Sequence, residues 1–368
     1  MRNMTSKSYA DIFDQASTLP GTIELLTRTA VPPVATRPGQ SFVFTGCGSS
    51  YYVAQCGAQL LRALSGVSAS AAPGSEVWLL PDLWLDENSV LVAISRTGTT
   101  TEVLRALERA RERGIPAITI SLAADVPMHE LSDVSLTLTH VQEAGRVMLQ
   151  SFANMLVAVQ WLVATIAHAA GSAQATTYLQ GLHGVAGAVS DLLPTFDREA
   201  QAIVEQGVGQ FVFLGSGPFT GVCAESVLKV QEMAQAPAES YAGLEYRHGP
   251  IATLTDRSFV ACVSCARTIA FDTLLAGDVQ FLGGTPLIVG PEDCLRAAPA
   301  GVRTISLPAG LPDWLYGNVA LPFFQLLAYH QTIKQGANPD SVRLLDRMID
   351  PHINPHDVDL ALASPLPV

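Results

Sequence analysis

Three side chains in the second half of the sequence are spaced to move protons together. Glu225, Lys229 and Glu232 stand at i, i+4 and i+7, so a helix places them on one face. Sixteen residues past Glu232 comes His248, in the run Glu245-Tyr246-Arg247-His248-Gly249-Pro250. A histidine beside Gly-Pro belongs to a loop, and loops at the edge of a rigid sheet commonly carry catalytic groups. A carboxylate and an imidazole with proton affinities tuned by burial suit general acid–base work. The plainer reading is a solvated helix face with a Glu225–Lys229 ion pair, Val227, Val230 and Met233 occupying the opposite face.

A second group of residues reads as an oxyanion cradle. Ser95-Arg96-Thr97-Gly98-Thr99-Thr100 follows an apolar run and precedes a helical one. The first amides of a helix have no partners within it, and the helix dipole is positive there. Hydroxyls of Ser95, Thr97 and Thr100 add donors, Gly98 lets the backbone approach closely, and Arg96 adds charge. Gly46-Cys47-Gly48-Ser49-Ser50 opens another helix in the same way. Either loop alone could be a Ser/Thr helix cap. Neither is a Walker A loop, since no Gly-Lys-Ser/Thr follows, and Tyr51 breaks the dinucleotide fingerprint. The second half's counterpart, Ser264-Cys265-Ala266-Arg267-Thr268, lacks the full hydroxyl set.

The elements that must hold these residues alternate. Strands are expected at residues 42–45, 90–94, 117–121 and 134–138, with helices at 49–64, 101–113 and 148–169. The pattern restarts with strands at 210–214, 259–263 and 285–289 and helices at 221–234 and 322–336. Strands separated by helices imply parallel sheets covered on both faces. Both halves open with a strand, a Gly-x-Gly turn and a helix, the first turn beginning at Gly46 and the second at Gly215. That spacing indicates two copies of one α/β domain. The expected organisation is an N-terminal helical segment (1–36), a first domain (37–170), a helical connection (171–205), a second domain (206–340) and a tail (341–368).

Composition sets the outer limits. The 368 residues are 48% apolar and 15% charged, enough for large cores and too ordered in composition for disorder. A net charge of −12 argues against a nucleic-acid partner. An anionic ligand would therefore need a local device to hold it. Six scattered cysteines, with no charged-then-apolar leader, point to the cytoplasm. Cys262-x-x-Cys265 has no second pair and falls in a strand, so core packing is expected rather than a metal site. His352 and His356 are each preceded by a proline, which disfavours a metal-binding helix. No apolar run reaches the roughly 18–20 residues of a membrane span.

The C-G-S-S turn, the S-R-T-G-T-T loop, and E-S-V-L-K-V-Q-E followed by E-Y-R-H-G-P together resemble the sugar isomerase (SIS) domain family over residues 40–350. The similarity is to double-SIS proteins: the isomerase half of glucosamine-6-phosphate synthase, ketose/aldose isomerases and amino-sugar-phosphate deaminases. It implies two tandem SIS domains, each a mainly parallel sheet in a three-layer αβα arrangement. It implies that Cys47, Gly48, Ser49, Ser50, Ser95, Arg96, Thr97 and Thr100 bind a sugar phosphate, Arg96 replacing a common Gln. Glu232 would shuttle the proton, flanked by Glu225 and Lys229. His248 would open the sugar ring in a neighbouring subunit's site, which implies a homodimer. No cofactor, metal or membrane is implied. Two departures appear. No N-terminal glutaminase domain precedes the first SIS-like segment. Arg347 falls where the synthase has an imine-forming lysine, and arginine stays protonated. Both favour deamination of an amino sugar phosphate over amination. A deglycase of a sugar–amine conjugate and a non-catalytic sugar-phosphate sensor are the alternatives.

Overall fold

The protein's structure, a computed structural model, describes residues 6–29 and 39–342. Pro32, Pro33, Pro38, Arg347, His352, His356 and the remainder of the tail lie outside the described residues. Two helices come first, α1 (Lys7–Phe13) and α2 (Gln15–Arg28). The first sheet uses β1 (Ser41–Gly46), β2 (Ser68–Pro73), β3 (Ser89–Ile94), β4 (Ala117–Ser121) and β5 (Val134–Thr137). Its connections are α3 (Ser49–Ser65), α4 (Gly74–Leu79), α5 (Pro81–Trp84), α6 (Thr101–Glu112) and α7 (Pro127–Glu130). Two long helices follow, α8 (Gln150–Ala169) and α9 (Ala173–Glu205). The second sheet comprises β6 (Gln210–Leu214), β7 (Ala238–Tyr241), β8 (Ser258–Val263), β9 (Thr285–Pro291) and β10 (Arg303–Leu307). Its helices are α10 (Phe219–Lys229), α11 (Ile269–Phe281) and α12 (Tyr316–Lys334).

Both sheets have five parallel strands, in the orders β2-β1-β3-β4-β5 and β10-β9-β8-β6-β7. Their registers repeat without a slip. Phe42 pairs with Ala69 and Phe211 with Ala238; Ser41 with Ser89 and Gln210 with Ser258. Leu91 pairs with Ala117 and Val260 with Pro286; Ile118 with Val134 and Leu287 with Arg303. Each of these pairs recurs in the other sheet at one constant offset, the same that carries Gly46 to Gly215. In each sheet the chain leaves its first strand for one edge and returns to the other side, which puts a switch point between β1 and β3 and between β6 and β8. Ligands of open parallel sheets bind outside the carboxyl ends of strands at such points.

The expected central strands are present, and three edge strands lie where no strand was expected. β2 (SASAAP), β7 (AESY) and β10 (RTISL) pair on one side only; β2 is built of small residues, and β7 and β10 interleave polar residues with Tyr241, Ile305 and Leu307. The chain from 171 to 205, expected as a connection, is a single helix that buries Tyr178, Leu182, Val189, Phe196 and Ile203 in the main core. That core runs unbroken from the first sheet through α3, α8, α9 and α12 to the second sheet. Each large apolar side chain fully buried there contributes about 1.5–3 kcal/mol of transfer free energy. The α8 helix is long and apolar enough to cross a membrane, contrary to the estimate from apolar runs, because Gln160 does not interrupt the helix. The protein uses it differently: 89% of its apolar window is buried inside the fold, and Gln160 pairs with Asn318 at 2.7 Å.

Candidate active site

The cradle forms at the carboxyl end of β3. Ser95 is buried, its Oγ lies 2.9 Å from Thr100 Oγ1, and it accepts the Gly98 N–H at 3.1 Å. Those contacts fold the loop back on itself, with Gly98 at φ +68°, a region disfavoured for a residue with a Cβ. Thr97 is exposed at the tip and accepts from Thr99 Oγ1 at 2.9 Å. Thr100 is the N-cap of α6, yet no side chain caps that helix. Its first amides and positive dipole end therefore point to the loop. Arg96 is paired within the chain. Its guanidinium donates to Glu143 Oε2 at 2.9 Å and to the Arg146 carbonyl at 3.1 Å.

The neighbouring β1 loop starts α3 alongside. Gly46 is required there, because a Cβ would fall 2.6 Å from the Ser50 backbone. Ser49 and Ser50 are buried on the first turn. Cys47 stands against Gly74 and the first turn of α6, and burial pushes its thiol up to about 11. The starts of α3, α4 and α6 thus converge on one corner.

The second half sends α10 across α3 to this corner. The crossing is close: a Cβ on Gly221 would overlap the Tyr52 carbonyl oxygen. Lys229 is fully buried; its ammonium donates to Glu232 Oε2 (2.7 Å) and Ser49 Oγ (3.3 Å) and forms an ion pair with Glu225 Oε1 at 3.1 Å. Glu225 is also fully buried. Lys229 stands near it, but neither of its oxygens has a well-aligned hydrogen bond. Burial outweighs the ammonium and raises its pKa to about 8. Burial works against the charge of Lys229, yet two carboxylates prevail and raise its pKa. Burial thus favours the protonated form of Glu225, while the neighbouring carboxylates favour the Lys229 ammonium.

Glu232 lies beyond the α-helix, in a π-helical turn, Val230–Ala234. Lys229 reaches it at i+3, and the Glu232 side chain is 20% exposed. Gln235, in the left-handed region at φ 49°, ends the turn. Wide turns of this kind occur frequently at functional sites. The charged face of the helix is a covered one: Glu225 and Lys229 are buried, as are Val230 and Met233, whereas Ala224, Val227 and Leu228 are half-buried and Gln231 is exposed.

Ser49, Glu225, Lys229 and Glu232 are thus brought into contact, and the cradle serines and threonines adjoin them through the paired strands β1 and β3. His248 is exposed, on a 3₁₀ turn packed against α11, and makes no hydrogen bond with this group among the described residues. Cys262 and Cys265 are buried in apolar clusters. Two participants escaped the sequence reading. Tyr52, one turn past Ser49, faces the trio closely enough that burial and then Glu225 raise its pKa. Glu143 anchors Arg96 and accepts the Leu149 N–H at 2.7 Å and the Ser151 N–H at 3.1 Å. The spacing of Tyr52 from Ser49 was a usable signal; nothing local marks Glu143.

Residues 38–165 match the model of the SIS domain family, and this part of the chain is a SIS domain. Beyond it the chain shares homology with larger SIS proteins. It is 26% identical over 316 residues to a glutamine–fructose-6-phosphate aminotransferase (isomerizing) of Aeropyrum pernix, covering 83% of this chain and 50% of that protein. The chain spans about half the length of the curated relatives it matches. Among solved structures, a glucosamine-6-phosphate deaminase of Thermotoga maritima superposes with TM-score 0.75 at 27% identity, covering 92% of this chain and 98% of that one. The C-terminal domain of glucosamine-fructose-6-phosphate aminotransferase from Francisella tularensis shares the fold, with TM-score 0.81 at 20% identity over 92% of this chain and 99% of its own.

Proposed function

We propose that the chain is a double-SIS sugar-phosphate isomerase that deaminates an amino sugar phosphate, glucosamine 6-phosphate being the reference substrate. The strand registers, repeated at a constant offset, support reading the second sheet as a second SIS domain. The observation that carries the chemistry is the buried Lys229, which ties the Glu232 carboxylate from one half to Ser49 at the cradle corner of the other. The phosphate would sit on Ser50, Ser95, Thr97, Thr100 and the α6 amides, gripped locally against an acidic protein. With the ring open, Glu232 takes the C2 proton and returns it to C1, leaving an imine at C2. Water adds to that imine, ammonia departs, and the ketose phosphate remains. The likeness to the Thermotoga maritima deaminase supports this direction, as does an arginine at position 347. Six free cysteines accord with a cytoplasmic setting.

His248 would open the ring in a second copy's site. Its exposure supports this, as do the exposed Leu244, Phe271, Leu274, Phe281 and Leu282 on the same turn and on or just past α11. The test is ammonia release from glucosamine 6-phosphate. Glu232→Gln is expected to abolish release while retaining substrate affinity, and Ser95→Ala to weaken affinity. Turnover persisting in Glu232→Gln removes the assigned base. Sugar-phosphate binding without turnover in the unmutated protein turns the reading to a sensor, and release of a larger amine from a sugar conjugate turns it to a deglycase.

A further inference from the structure

The repeat that duplicates every strand also duplicates the crevice. The offset that carries Gly46 to Gly215 also carries Ser95 to Ser264, Thr97 to Ala266, Gly98 to Arg267, Ala144 to Asp313 and Gly145 to Trp314. Ala266, Arg267, Asp313 and Trp314 line one cavity of about 570 Å³ at the carboxyl edge of the second sheet. Leu64, at the end of α3, and Tyr178 of α9 close it. That volume suits one small molecule. The same offset puts Cys56, Leu60 and Ala63 of α3 where α10 and its π-helical turn carry Glu225, Lys229 and Glu232. The second crevice therefore has space for a ligand but no counterpart of the trio that would move its protons.

Its polar lining also differs from the cradle. The Ala266 backbone N–H donates to Asp313 Oδ1 at 3.3 Å, and Asp313 Oδ2 lies 3.2 Å from Arg267 Nε. A carboxylate of the chain thus occupies the oxyanion position, and Asp293 adds a second negative charge to the lining. A phosphate there would meet two carboxylates against one arginine. What remains suits a hydroxyl-rich ring. Trp314, resting on Gly217 and Phe219, offers an aromatic wall. Arg267, Asp293 and Gln174 offer donors and acceptors for hydroxyls. We infer that the second crevice is a non-catalytic binding site for an unphosphorylated sugar, with an amino sugar favoured by its two carboxylates. The inference goes beyond the proposed deamination and rests on it only in calling the second crevice non-catalytic; the sugar site itself is argued from its own lining.

The experiment is calorimetric titration of the full chain with unphosphorylated glucosamine. Binding is expected in the unmutated protein and in Ser95→Ala, with affinity reduced about tenfold or more in Arg267→Ala and in Trp314→Phe. Arg267 is largely exposed, so its variant keeps the test valid if the tryptophan change disturbs the fold. Inorganic phosphate is a second probe: Asp313→Ala added to Ser95→Ala, which frees the Ala266 amide and Arg267, is expected to gain a phosphate site that Ser95→Ala alone lacks, and no gain counts against Asp313 as the occupant of the oxyanion position. Absence of glucosamine binding overturns the inference, as does binding lost in Ser95→Ala and kept in Arg267→Ala. Neither result bears on ammonia release.

Discussion

At the scale of single residues, Lys229 decides how the site is charged. Neighbouring carboxylates raise the pKa of the buried Lys229, whereas burial raises that of Glu225 to about 8. The unfolded chain releases that proton near 4.5. Between those values the folded protein binds one proton more than the unfolded chain, so stability falls as pH rises from about 4.5 to about 8 and levels off above. Urea unfolding of the unmutated protein and Glu225→Gln across this range measures the effect. The unmutated protein is expected to lose stability relative to the variant through that window; parallel curves would show Glu225 ionised throughout. The candidate trio was legible in the sequence because i, i+4, i+7 spacing survives any helix. Its burial was not, since three polar residues on one face read as solvated until α3 covers them. The π-helical turn was also hidden, as no residue type in Val230–Ala234 announces it.

At the scale of elements, two joints position the site. One is the α3–α10 crossing at Gly221, where a larger residue must push α10 away from the Tyr52 carbonyl and the Cys56 sulfur. Gly221→Val is expected to cost about 1–3 kcal/mol. By parting Lys229 from Ser49 it should also reduce kcat far more than a surface glycine change of equal stability cost. Chemical denaturation and kinetics separate the two effects. The other joint is Glu143, whose carboxylate bonds Arg96, two α8-entry amides and the Ser151 hydroxyl. Asp11 of α1 secures the same loop by accepting from Ala144 and Gly145. Glu143→Ala removes the ion pair of Arg96 and leaves it only the Arg146 carbonyl, so a raised KM for the phosphorylated sugar with little change in kcat is expected. An unchanged KM would mean that the cradle holds its shape without this brace. Central strands such as Val90 to Ile94 were legible because sheets covered on both faces demand continuous apolar runs. Edge strands β2, β7 and β10 were not, because one-sided pairing tolerates Ser, Ala, Glu and Arg.

At the scale of the whole molecule, the two ends of the described residues are tied together. Asp340 accepts the Lys7 N–H at 2.9 Å and the Ser8 N–H at 2.8 Å, which brings the last described residues to the start of α1. The duplicated halves divide the labour within this closed body: the first supplies the cradle and the second supplies Glu232, while His248 faces outward. A site completed by the His248 of another copy has a consequence that a self-contained site lacks. Glu232→Gln and His248→Ala proteins would each be inactive as homodimers. In a mixed dimer of the two, one site would combine both lesions and the other would combine an intact Glu232 with an intact His248. Random re-association of equal amounts gives half mixed dimers, each with one working site, so about a quarter of unmutated activity is expected on co-refolding. No recovery, with mixed dimers demonstrated by mass spectrometry, would place His248 in the site of its own chain or outside the reaction. Recovery would show that this exposed histidine works only across a two-fold contact, which would also account for the apolar side chains that α11 presents beside it.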